Sequence, residues 1–176
     1  DKVVLNAAGV EAFNKKIIAA SPTVYDMAAY PKTLSGKTVT AYVNTHTDLS
    51  DELYREGKLV SDNYKNILRS QTNAAAIPAE VTVRYGVTVR RANLRNLPTG
   101  EGLFFYASDR NFDALQETAL DPGEAVAILH TSTNGYFYYV QAYNYRGWLS
   151  KFDVAETDRS TWLRYAEPKN FLTVVA

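Results

Sequence analysis

The chain has 176 residues, 46% apolar and 22% charged, the balance of a chain that folds around its own core rather than one that stays disordered. Nineteen Lys and Arg offset nineteen Asp and Glu, which leaves no basic excess to grip a nucleic acid or an acidic membrane surface. The absence of cysteine excludes a thiol nucleophile, a disulfide framework and a cysteine zinc site within these residues.

The elements follow in chain order. Asn6 caps a predicted helix to about residue 20, with Val10, Phe13 and Ile17 on one face and Ser21-Pro22 ending it. Residues 23–34 read as an irregular connection. Ser35 caps a second helix through Val39, Tyr42 and Val43, chosen over strand although the stretch is rich in strand formers. Residues 49–60 hold a short turn stopped by Gly57. Ser61 caps a third helix, striped by Tyr64, Ile67 and Leu68 and closed by Asn73. Residues 74–78 cross into a stretch of different character.

Beyond residue 80 the signals are those of strands. Val81, Val83, Tyr85, Val87 and Val89 alternate over nine residues, which predicts one strand, and Gly86 within it predicts a bulge or the close approach of another chain. A long loop spans 99–117, and Asp121-Pro122-Gly123 is a turn. A strand at 125–130 leads to Asn134-Gly135, the strongest hairpin signal here. Strands at 136–142 and 145–149 join at Tyr143-Asn144, and 151–154 reads as a short helical turn. Short strands this closely spaced imply a small barrel. Residues 157–168 form a brief helix or linker around Trp162, and 171–176 read as a strand with no sheet left to join. The expected class is α+β: a helical N-terminal domain at 1–79, a five-stranded barrel at 80–156, and at 157–176 a linker with the possible first strand of a missing following domain.

Candidate residues fall into few groups. In Arg91-Ala92-Asn93-Leu94-Arg95-Asn96-Leu97-Pro98, Asn93 and Arg95 stand two apart on a strand and share a face, so they can tie the loop that follows; Pro98 ends pairing. The plainer reading is an arginine bracing a loop. Tyr136, Phe137, Tyr138, Tyr139, Tyr143, Tyr145 and Trp148 put seven aromatics into thirteen positions. At least half belong to the core. Tyr138, Tyr143, Tyr145 and Trp148 are the candidates for an aromatic groove, the hairpin pair Tyr143 and Tyr145 first among them. Glu117, with Asp109, Asp113 and Glu124 near in sequence, can hold the ammonium of a peptide N-terminus beside tyrosines, or be a solvated loop charge. Arg84, Arg90, Arg91 and Arg95 divide between two strand faces, so no nucleic-acid patch forms. His46 reads as a loop histidine and His130 as a strand-end residue; they have no partner at ligand spacing, so no metal is expected. No phosphate loop, dinucleotide fingerprint or Gly-x-Ser-x-Gly occurs, so no cofactor is expected either. The apolar runs fall far short of the roughly 20 residues of a membrane span.

The segment Arg91–Pro98, then 123–129 and Tyr143-Asn144-Tyr145-Arg146-Gly147-Trp148-Leu149, resembles the bacterial SH3-like family. The longer strings 84–99 and 112–118 are similar to the subtype that precedes the catalytic domain in NlpC/p-sixty cell-wall peptidases, and residues 20–78 to the small helical domain before it. The resemblance implies an SH3-like barrel, a C-terminal NlpC-type catalytic domain in the parent chain, peptidoglycan or its stem peptides as partner, and a cell-envelope location. It implies a peptidase that cuts between D-glutamate and a diamino acid with a Cys–His pair. Lacking cysteine, this chain inherits no catalytic residue, only the role of shaping the cleft. The alternatives are a free-standing cell-wall or peptide-binding protein, and a hydrolase working through His130 and an acid.

Overall fold

The computed structural model describes residues 4–45, 47–49 and 51–169; His46 and the expected strand at 171–176 lie outside the described residues. Helices begin where a short polar side chain precedes them. Asn6 Oδ1 accepts from the Gly9 amide at 2.8 Å at the head of α1 (Ala7–Ala20). Ser35 Oγ accepts from Thr38 at 3.1 Å at α2 (Gly36–Asn44), and Ser61 Oγ from Tyr64 at 3.3 Å at α3 (Asp62–Ser70). At α2 the cap, and the burial of Val39 and Val43 one turn apart, outweigh the strand propensity of the stretch. The stripe expected of α1 does not reach a core: Val10, Phe13 and Ile17 are all exposed.

Between α2 and α3 the chain forms a hairpin, β2 (Tyr54–Arg55) with β3 (Lys58–Leu59). Its turn residues Glu56 and Gly57 both have positive φ, 51° and 81°, as a two-residue type I′ connection needs.

The alternating run from Val81 to Val89 is two strands, not one. β1 (Thr33–Ser35) pairs antiparallel with β4 (Glu80–Thr82), and the Val83 amide donates to Lys32 O at 2.9 Å. Then β5 (Arg84–Thr88) departs into the main sheet. Val81, Val83 and Val87 stay buried throughout, so the alternation continues while the backbone partner changes, and side-chain period cannot report that change.

The rest of the main sheet is β6 (Ala92–Arg95), β7 (Gln116–Leu120), β8 (Ala125–Thr131), β9 (Phe137–Gln141), β10 (Arg146–Ser150) and β11 (Val154–Thr157). It is antiparallel in the order β11-β5-β8-β9-β10-β6-β7, seven strands where five were expected. β7 lies partly within residues read as loop; the helical turn expected at 151–154 forms over Lys151–Asp153, and β11 follows it as a strand the sequence did not announce. Gly86 marks close packing inside this sheet: a Cβ there would stand 2.5 Å from Val154 Cγ1. The Asn134-Gly135 hairpin forms as expected, with Gly135 at φ 72° and Asn134 Oδ1 accepting from the Tyr136 amide at 3.0 Å. After β11, α4 (Arg159–Ala166) packs Trp162 fully into the core, its ring 4.9 Å from Tyr85 and its Nε1 donating to Val126 O at 3.1 Å.

The core explains how the two halves hold each other. One buried cluster lies within the sheet, around Leu94, Val126, Ile128, Val140 and Leu149. Others cross residue 80: Met27, Tyr30, Val39 and Val43 pack with Val83, Tyr139, Trp148 and Trp162, and Leu49, Leu53 and Leu68 with Leu97, Leu103 and Leu115. The class is α+β, and the helical segment shares its core with the sheet. That sharing sets residues 21–45 against the β9–β10 hairpin.

Candidate functional site

The contact between those two segments is built from tyrosines. The Tyr25 amide donates to Tyr143 O at 2.7 Å, and the Tyr139 hydroxyl donates to Tyr42 O at 2.8 Å. Tyr25 and Tyr30 meet edge to face at 5.7 Å. Beside these contacts opens a cleft of about 460 Å³, walled by Val24, Thr45, Glu117, Tyr139, Tyr145 and Arg146 among others. A cleft of that size is in the range of small-ligand sites. Glu117 reaches it from β7, the edge strand of the sheet, and Arg146 from the first position of β10.

The electrostatics of the cleft are unbalanced in an informative way. Burial pushes the hydroxyls of Tyr25, Tyr30 and Tyr139 above the usual phenol range, so they remain neutral donors at physiological pH. The Arg146 guanidinium lies over the Tyr42 ring, 3.6 Å from its centroid. Its Nη1 is buried without a hydrogen-bond partner, and no ion pair among the described residues neutralises the group. Glu117 and Arg146 thus line one cleft with opposite charges that do not meet.

A second hollow, about 350 Å³, is walled by Met27, Asp121, Glu124, Tyr143 and Tyr165. The Glu124 carboxyl there is raised above its ordinary value, first by burial and then by neighbouring Asp121.

Of the residues singled out from sequence, the structure brings Glu117 and Tyr145 together in the first cleft and places Tyr143 in the second hollow. Tyr138 lies elsewhere, donating to Glu156 Oε1 at 2.6 Å beneath the Arg84 guanidinium, which also pairs with Glu156 at 2.8 Å. Trp148 is fully buried, 5.2 Å from the Tyr139 ring, and offers a ligand no surface. Its place in the groove is therefore corrected: it fills the core.

The loop-tying motif is corrected too. Arg95 is buried and pairs with Asp113 at 2.6 Å, while its Nη2 donates to Glu101 O at 2.6 Å. Asp113 Oδ1 in turn accepts the amides of Leu103 and Leu115 at 3.1 and 3.0 Å. Arg95 braces the loop alone. Asn93 is exposed, because a register shift between Leu94 and Arg95 breaks the alternation that would have put the two on one face. Arg91 pairs with Asp121 at the surface, and Pro98 is buried beyond the end of β6.

Sequence reasoning missed Arg146, Tyr42, Thr45 and Val24. Arg146 stands inside the motif 143–149, but nothing local signals that its guanidinium has no partner. His130 Nε2 lies 3.0 Å from Asn73 O, and burial lowers its pKa below the ordinary histidine value. No carboxylate among the described residues pairs with it, so the acid that a His130 hydrolase needs is not at hand. Among the described residues no group of three or more His, Asp or Glu could hold a metal ion.

Comparison with known proteins bears on the fold. Residues 103–150 match the SH3 domain of the SH3b1 type. No curated protein matches the sequence. Among solved structures, the chain resembles an NlpC/P60 endopeptidase from Photobacterium damselae subsp. piscicida at a TM-score of 0.66 and 18% identity. The match covers 93% of this chain and 40% of that one. The likeness is one of fold, and it agrees with the resemblance of 84–99 and 143–149 to the SH3-like domains that precede NlpC-type catalytic domains. No helix among the described residues is long and apolar enough to cross a membrane.

Proposed function

We propose that this chain is the non-catalytic accessory region of a bacterial NlpC-type peptidoglycan endopeptidase. It positions murein stem peptides and forms one wall of the cleft in which the bond between D-glutamate and a diamino acid is cut. With no cysteine it supplies no thiol nucleophile, and the chemistry belongs to a catalytic domain that follows in the parent chain, at the cell envelope. The observation that carries the reading is the open tyrosine cleft on a fold shared with an NlpC/P60 endopeptidase.

The cleft suits a peptide end. Tyr139 is fixed by its bond to the Tyr42 carbonyl, so that wall is formed before a ligand arrives and loses little entropy on binding. Glu117 supplies the charge that a peptide ammonium seeks, and the half-exposed Tyr145 offers a ring for its flank. The test is retention of the purified chain on purified peptidoglycan, with soluble stem peptides as competitors. The reading predicts retention that stem peptides release. A chain that neither stays on the wall nor binds stem peptides, or that hydrolyses them unaided, contradicts it.

A further inference from the structure

We infer that Arg146 is a carboxylate-binding residue, so that the cleft takes a peptide carrying an acid group as well as an ammonium. The inference rests on the reading of the cleft as a peptide site and adds the second half of the ligand's charge pattern. Three observations lead to it. The guanidinium stacks on Tyr42 at 3.6 Å, which fixes its plane and leaves its edge as the donor surface. It makes no hydrogen bond or ion pair among the described residues, and one of its nitrogens is buried without a partner. Arg95 and Arg159 also leave Nε buried without a partner, but each spends another nitrogen on the fold, Arg95 on Asp113 and the Glu101 carbonyl and Arg159 on the Ala28 carbonyl. A guanidinium held flat beside a cleft with its donors unspent is complementary to a carboxylate, which can accept two parallel bonds from it.

Tyrosine hydroxyls reinforce this sign of charge. Tyr25, Tyr30 and Tyr139 surround Arg146 as neutral groups, so none of them cancels its field. Glu117 is the one carboxylate in the walls of the cleft, and it forms no ion pair with Arg146. Two opposite charges that share a cleft without meeting leave room for a dipolar ligand between them. At about 460 Å³ the space holds a piece of peptide of roughly two residues.

The test compares alanyl-glutamate as the free acid with its amidated form, titrated against the 176-residue chain by calorimetry or chemical-shift changes. The unmodified protein is expected to bind the acid at least about tenfold more tightly than the amide, the usual gain from a charge-assisted bidentate contact. Arg146→Gln is expected to weaken the acid to the level of the amide and erase the difference, and Arg146→Lys to restore part of it. If Arg146→Gln does not fold, the acid-against-amide comparison on the unmodified protein decides alone. Equal binding of acid and amide, binding of neither at millimolar concentration, or a difference that survives in Arg146→Gln overturns the inference. Retention on peptidoglycan separates the two claims: retention with no acid preference sinks only the role of Arg146, whereas loss of both retention and peptide binding sinks the accessory reading itself.

Discussion

Arg95 and Arg146 sit on neighbouring strands of one sheet and do opposite work. Arg95 is buried with its charge met by Asp113 and a second nitrogen bonded to the Glu101 carbonyl, only Nε being left without a partner, and the result is a loop from residue 96 to 115 held at its base. Arg146 is held flat on Tyr42 with no counter-charge, and the result is an open cleft. A charge met by a counter-charge inside the fold builds structure; a charge held in place without one is available for a ligand. In this molecule the two cases lie a few residues apart on either side of Gly147, where a Cβ would come within 2.7 Å of Arg95 O.

The sharpest way to break that contrast is to unpair the buried arginine. Asp113→Ala leaves Arg95 with an uncompensated charge and frees the amides of Leu103 and Leu115, and it is expected to cost about 3–5 kcal/mol in urea unfolding. The same change that deletes a surface partner, Asp121→Ala opposite Arg91, is expected to cost under about 1 kcal/mol, because both side chains are about two-thirds exposed. Equal losses from the two would dissolve the distinction. Next in size is Gly147→Ala. The added methyl meets backbone rather than a flexible side chain, so β10 must move off β6, at about 1–3 kcal/mol and with weaker peptide binding through the displaced Arg146.

A pH series sharpens the comparison at the joint between helices and sheet. His130 is half-buried with its pKa lowered, first by burial, so the unfolded chain binds a proton more readily than the native one. Stability is therefore complete above the ordinary histidine value of 6.5 and falls as pH drops from there toward the lowered native value. His130→Gln is expected to flatten that part of the stability curve, and a slope unchanged in the variant would assign it to other groups. The smallest stability effect is expected of Tyr143→Ala and Tyr145→Ala, about 0.5 kcal/mol or less, since both rings are partly solvated and Tyr143 contributes its carbonyl rather than its ring to the bond with Tyr25. Tyr145→Ala is expected to lower stem-peptide affinity several-fold all the same. A large loss of melting temperature would return Tyr145 to the core.

What could be read from sequence was local. Asn6, Ser35 and Ser61 announce their helices because a cap needs only the next three residues, and Asn134-Gly135 announces its hairpin because a turn needs only itself. The misses all required a partner distant in the chain. Val81 to Val89 looks like one strand because burial is continuous across a change of pairing. β7 was hidden because Gln116-Glu117-Thr118 is a polar edge segment whose outer side faces no strand. The groove residues follow the same rule. Glu117 and Tyr145 were visible as chemistry, whereas Trp148 differs from its exposed neighbours only through what the helical half lays over it. Arg146 and Tyr42 meet across about a hundred residues, and neither side chain alone marks the site.

The central claim is that stem peptides are met by the tyrosine cleft and not by the braced loop, whose exposed Phe105, Tyr106 and Phe112 form the obvious rival surface. Backbone chemical-shift mapping of the chain with a soluble stem peptide decides between them. The account predicts changes concentrated at Val24, Thr45, Glu117 and Tyr145-Arg146, with residues 104–112 unmoved. Changes confined to 104–112, with the cleft silent, would contradict it.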